Sequence, residues 1–423
     1  MNKQELALSE YNLHFNYKDI FLAPRLALSP KKIWVFIFGN LSGYIAYWIL
    51  SYLSLVLSGI EINEAISDYG LFPCLYGNSA PLISWSIYYA GIAIWLFFVL
   101  ISSTAVSRIT FRQLKGDNFY SANDALDFVM KKWRSVIFAP LSIIFIILIF
   151  FLIACIFAII GSIPLIGDLS FPLLYIFYFF GSIFTVFSFI VFIVSLFISP
   201  AIIGSFEEDT IGTVFFSYQI TFSQPWRIII YNALLIPLII IFMNLFSWFY
   251  SMSFSLINLI FGYFMNARFE NIMGYSVSIV DTSWISSDPS MIKITLEKGL
   301  FGTLTMASDL IEFILSSLFK LFNLFILAIP DFSFESYTGS LTALETISGI
   351  LLSIPLILLT LSVLSYGLSI LSVGETIIFI IFKKIMDREN ILLRNNEEEE
   401  YPIDDNLDFN SSSHHLLSST EEE

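Results

Sequence analysis

The stretch KKWRSVIFAPLSIIFIILIFFLIACIFAII, Lys131–Ile160, decides the fold class. Three bases stand before it around a tryptophan, and then 26 residues pass without a charge. A bilayer core of about 30 Å needs about 20 apolar helical residues, so this run can cross a membrane as one helix. Lys and Arg at its entry, with Trp between them, is the pattern of a span starting on the cytoplasmic face.

Working outward, comparable runs lie near 33–58, 83–107, 171–203, 228–250 and 347–382. The whole chain fits them. It is 57% hydrophobic and 13% charged, with mean hydropathy +0.80 and 45 Phe. An ordinary globular domain is about a quarter charged. The expected fold is therefore all-α, a polytopic transmembrane helical bundle. Its domains read as a cytoplasmic N-terminal segment (1–32), a transmembrane domain (33–384, with an extracytoplasmic region at about 266–346) and a disordered acidic cytoplasmic tail (385–423).

The bases orient the bundle. Lys3, Lys18, Arg25, Lys31 and Lys32 precede the first span. Arg108, Arg112, Lys115, Lys131, Lys132 and Arg134 lie between the second and third. Arg227 follows the fourth, and Lys383, Lys384, Arg388 and Arg394 close or follow the last. Every second connection is thus basic, which predicts cytoplasmic N- and C-termini. The net charge of −15 belongs mostly to the tail, where 385–423 holds twelve acids and two bases. Such a segment cannot bury enough apolar surface to fold, and nothing in the charge favours nucleic acid. The first 30 residues lack the continuous apolar core of a cleaved signal peptide. Cys74 falls in an outside loop and Cys155 mid-span, so no disulfide is expected between them.

The span count has two readings. Residues 228–265 are apolar over 38 positions, and 301–329 are apolar except for Asp309, Glu312 and Lys320. Six spans are favoured, with one long helix from 228. Eight remain open, with a hairpin within 228–265 and a crossing at 301–329.

Two amphipathic helices are expected on the cytoplasmic side. Ser121 and Asp124 resemble a capping box, and Ala122, Leu126, Val129 and Trp133 follow at helical spacing. The second starts near Ser205 and Glu208 and puts Ile211, Val214, Phe215, Tyr218 and Phe222 on one face. Pro225 should end it at Gln224. Each unit closes with Trp-Arg immediately before a span, at Trp133-Arg134 and Trp226-Arg227. Indole at the interface and guanidinium at headgroup phosphate make these four the candidate lipid-anchoring residues.

The segments SYQITFSQPWRIIIY (Ser217–Tyr231), TIIFIIFKK (Thr376–Lys384) and LALSPKKIW (Leu26–Trp34) resemble motifs of a group of uncharacterised bacterial multispan inner-membrane proteins. In that group a Ser-Tyr helix runs into Pro-Trp-Arg before a span. The layout is also similar, more distantly, to the membrane domain attached to some glycerophosphodiester phosphodiesterases. The resemblance implies a bacterial inner-membrane location. It brings no activity, and the catalytic phosphodiesterase domain has no counterpart in this sequence.

Chemistry is sparse. The histidines are His14, His414 and His415, and no metal-ligand spacing, nucleophile elbow or Walker motif occurs. No cofactor is expected, and the chain reads as non-enzymatic. Ionisable residues at membrane depth raise a functional question by default. Glu375 lies about two turns before Lys383; the plain reading pairs it with a nearby base, the sharper one puts it in a polar cavity. Asp309 and Glu312, with Lys320 near the same stripe, are the other intramembrane candidates. Asn40, Asn232, Asn244 and Asn258 are expected to tie helices together, and Gly39 and Gly43 to permit close helix contact. The sequence therefore points to a lipid-interacting or scaffold protein, with membrane lipids and a membrane or cytoplasmic protein as partners. The alternative is a secondary transporter or channel subunit with a mid-membrane polar site.

Overall fold

A computed structural model of the chain describes residues 13–75, 80–164, 166–280, 341–388 and 391–393. Among them are helices and connections, and no strand. Six helices are long and apolar enough to cross a membrane. They are α1 (Pro30–Leu57), α3 (Leu82–Leu114), α4 (Ala122–Gly161), α5 (Ile166–Phe206), α7 (Pro225–Met265) and α9 (Ala343–Asp387). Three shorter helices fill the connections: α2 (Ile62–Tyr69), α6 (Thr210–Ser223) and α8 (Ala267–Val280). The chain is an all-α integral membrane protein. Asp309, Glu312 and Lys320 lie outside the described residues, as does the 301–329 segment that the eight-span alternative has cross the membrane.

Two boundaries differ from the sequence reading, and one between them follows its favoured form. First, the amphipathic unit at 121–134 is not a separate helix. Ser121 caps it as expected, its Oγ accepting from Asp124 N at 3.1 Å. The helix then continues without a break through Trp133-Arg134 to Gly161. No Gly or Pro stands at that junction, and Pro140 is absorbed within the helix. At 40 residues α4 is about 60 Å long, twice the bilayer core. Second, residues 225–265 form one helix, as the favoured six-span reading has it, and the hairpin of the eight-span alternative is not formed. The chain turns only at Asn266, where φ is +49°, and enters α8. Third, order extends past 385: α9 runs to Asp387, and Ile391 and Leu392 are buried in the main core.

The second amphipathic unit is the separate helix α6. Its cap is Asp209, whose Oδ1 accepts from Gly212 N at 2.8 Å, rather than Ser205 or Glu208. It stops at Gln224 because Pro225 begins α7.

Small residues set the closest helix contacts. A Cβ at Gly39 would collide with Ser102, and one at Gly43 with Trp95, so this pair lets α1 lie against α3 as expected. Trp95 Nε1 adds a 3.4 Å bond to Asn40 Oδ1 across the same contact. Asn244, in contrast, faces outward and donates to Ile240 O of its own helix.

The innermost element is the second half of α9. Every residue from Ser372 to Lys383 is buried, so the helix is covered on all sides there. On one side lies a hook formed by Tyr17–Leu22 and Ala23–Ala27, inside the 1–32 segment to which the sequence reading assigned no element. Tyr366 Oη donates to Pro24 O at 3.2 Å and Ser369 Oγ to Ala27 O at 3.1 Å. On another side Ser103 of α3 meets Ser372 at 2.7 Å. α7 runs antiparallel to α9. Tyr231 stacks on Phe382, Leu235 covers Gly374, Met243 covers Gly367, and Tyr250 reaches Ser362.

Candidate functional sites at the basic end of the bundle

The basic connections gather where α1, α4 and α7 begin and α3, α5 and α9 end. Many of their cations are internal clamps. Lys32 is fully buried, and its Nζ donates to Leu26 O (3.0 Å) and Gln113 Oε1 (2.9 Å). Lys31 Nζ donates to the carbonyls of Asn118 and Tyr120. Lys132 Nζ donates to Glu207 O at 2.8 Å, just past the end of α5. A lysine at a helix C-terminus satisfies carbonyls that the helix leaves open. Lys383 lies over the rings of Phe206 and Phe216 and pairs with Asp387.

Arg108 is the node of this end. It is 3% exposed. Its Nη2 lies 2.6 Å from Glu207 Oε1, and its guanidinium sits 4.3 Å from the Phe128 ring centre. One side chain thus joins α3, α4 and the end of α5. Gly204 makes this possible, because a Cβ there would lie 2.8–2.9 Å from Ser107 Cβ, Arg108 N and Thr104 O. The sequence reading used Arg108 only as a topology mark. A base inside the helix rather than in the connection was the available signal.

The two Trp-Arg pairs sit on different helices, Trp133-Arg134 three turns into α4 and Trp226-Arg227 in the first turn of α7. Arg134 lies 5.8 Å from the Trp133 ring centre, and Arg227 Nη1 donates to Gln224 Oε1 at 2.6 Å. Trp226 is 74% exposed and Trp133 38%. Helix α6 packs against both α4 and α7 and so links the elements that carry them.

The amphipathic faces point in opposite senses. On α4, Ala125 and Val129 are buried and Ala122 and Leu126 pack on the main core. On α6 the large residues turn outward, with Ile211 78% and Phe222 80% exposed, and Phe215 also exposed. The buried face of α6 is Thr213, Ser217, Ile220 and Thr221. Its hydroxyls are satisfied within the helix: Thr213 donates to Asp209 O, Ser217 to Thr213 O and Thr221 to Ser217 O. That spacing makes a narrow stripe with no open donor, able to lie against other helices. α6 folds back along α5, with Phe216 against Phe206, Tyr218 Oη donating to Ser188 Oγ at 2.8 Å, and Phe222 against Phe187.

Glu375 is 2% exposed, in the enclosed part of α9. Its Oε1 has no hydrogen-bond partner. The plain expectation, neutralisation by a neighbouring Lys or Arg, does not hold: among the described residues no base is paired with it. Its polar neighbour is Asn232 on α7, whose Nδ2 donates to Ile228 O at 3.1 Å. Among the described residues no three of His, Cys, Asp and Glu gather as a metal site. Cys74 and Cys155 are both free thiols.

No family model matches the chain, and no curated protein or solved structure matches it either.

Proposed function

We propose that this chain is a non-enzymatic protein of a bacterial inner membrane that engages anionic lipid at the cytoplasmic face, with both termini in the cytoplasm. The observation that carries this reading is the outward ridge of Ile211, Phe215 and Phe222 on α6, followed by exposed Trp226 beside Arg227. Exposed aromatics and aliphatics take acyl chains, and the neighbouring guanidinium takes phosphate. Trp133 and Arg134 supply the same pairing on α4. A membrane or cytoplasmic protein that reads this ridge is the scaffold form of the same proposal. The test is native mass spectrometry after gentle extraction into nanodiscs of mixed lipid. Selective retention of anionic lipid, or a stoichiometric protein, supports the reading; protein released with no selective lipid and no partner opposes it.

A second reading, a secondary transporter or channel subunit, is favoured by one observation: the buried carboxyl of Glu375 with an unpartnered oxygen. Flux through reconstituted protein should then change on Glu375→Gln, and the lipid-binding reading predicts no such change.

A further inference from the structure

We infer that Glu375, with Asn232 facing it, is a proton-binding site built into the contact between α7 and α9. This goes beyond the lipid-facing surface and rests on nothing in it. It deepens the transport reading by naming the ligand.

The argument is geometric. Glu375 is enclosed by helix on every side: the residues before and after it, from Ser372 to Lys383, are all buried. Gly374 beside it is covered by Leu235. An ionised carboxylate in such a place needs a paired base or several donors. The bases of the surrounding elements are committed elsewhere. Arg108 pairs with Glu207, Lys32 with Leu26 O and Gln113, and Lys383 with Asp387. Arg112 lies over Tyr120, while Arg25 on the hook and Arg227 on α7 are exposed. The acid of the hook, Asp19, accepts from the backbone of His14 and Asn16. Among the described residues, what faces Glu375 is the neutral carboxamide of Asn232, already donating to Ile228 O. One shared amide donor is too little for an anion and sufficient for a carboxylic acid.

The ligand that completes the site is a proton. Among cations it alone needs no coordination shell, and Oε1, buried and without a partner, is the atom that can take it. The proton is exchanged with water, which has to reach Glu375 by parting α7 from α9. The site therefore links protonation to that helix contact. α7 and α9 are joined there by apolar packing, with Tyr231 on Phe382 and Leu235 on Gly374, which can separate without breaking an ion pair.

The experiment is infrared spectroscopy of the full-length protein in nanodiscs at neutral pH, comparing wild type with Glu375→Gln and Asn232→Leu. The expected result is a protonated-carboxyl C=O band in wild type, absent in Glu375→Gln and shifted in Asn232→Leu. Glu375→Gln, a neutral isostere, should also fold and melt close to wild type. A spectrum without that band, or a Glu375→Gln protein that fails to fold, overturns the proposal. A band with no proton-coupled flux leaves the site standing and removes only the transport reading.

Discussion

Arg108 and Glu207, 99 positions apart in the chain, meet at 2.6 Å and join the end of α3 to the end of α5. The guanidinium is buried, whereas Glu207 is 40% exposed. Removing the acid takes from a buried cation the carboxylate that lies 2.6 Å from it. Glu207→Gln should therefore destabilise the fold by about 1–3 kcal/mol, the usual cost of stranding a buried charged hydrogen-bonding group. Thermal melting in detergent reads this directly. A melting point unchanged within error would show that the remaining contacts of Arg108, among them its Nη1 donating to Gly204 O at 3.5 Å and the Phe128 ring, suffice to hold it.

The same contact predicts a contrast between two glycines of α5. Gly204→Ala places a Cβ against backbone atoms of Thr104 and Arg108, which cannot step aside as a side-chain end can. Overpacking of this kind costs about 1–3 kcal/mol. Gly181→Ala meets nothing within 4 Å and should be neutral or slightly stabilising through helix propensity. Equal effects of the two substitutions would contradict the packing described for α3 and α5.

Helix α6 is held to α5 by Tyr218 Oη on Ser188 Oγ. Tyr218→Phe keeps the ring and its stack on Phe184 but removes the hydroxyl. It should cost about 0.5–1.5 kcal/mol. Hydrogen exchange should speed up in 210–223 and stay unchanged in α9. Faster exchange spread over the whole bundle would mean that α6 is not a separate unit.

Orientation has its own check. The basic connection between α3 and α4 should face the cytoplasm, and the acidic one between α1 and α3 the opposite side. In a background without native cysteines, Asn118→Cys should react with an impermeant reagent only in inverted vesicles. Glu64→Cys should react only in intact cells. The reverse pattern would invert the whole topology.

Most of the architecture was legible because bilayer thickness imposes itself on composition. Each expected span matches one of the six observed helices; five lie wholly inside, and 33–58 overruns Leu57 by one residue. Helix ends were less legible. Trp133-Arg134 looked like a boundary because charge gives way to apolar sequence there, yet a change of composition does not by itself end a helix, and no Gly or Pro stands at that point to break it. The hook at 17–27 was missed because its core residues Ile20, Leu26 and Ala27 fall in no long periodic run. The enclosure of α9 was also invisible: Thr376–Phe382 reads as any lipid-facing span, since lipid and protein interior select the same side chains. Glu375 stood out because a carboxylate in an apolar run is costly in either setting. The missing base could be found only from where Arg108, Lys32 and Lys383 point. On α6 the expected apolar face was Ile211, Val214, Phe215, Tyr218 and Phe222; Ile211, Phe215 and Phe222 are exposed, while Val214 and Tyr218 are half-buried. What the sequence did not reveal is that Thr213, Ser217 and Thr221 form the packed side.

The central claim is that exposed Trp-Arg pairs at the basic end hold anionic lipid, and one comparison tests it most directly. Wild type and the Trp133→Ala/Trp226→Ala double variant are released from identical nanodiscs of mixed anionic and zwitterionic lipid, and the lipid each retains is counted by native mass spectrometry. The account predicts selective anionic lipid on wild type and its loss from the double variant, with the melting point preserved. The same lipid complement on both proteins would contradict it.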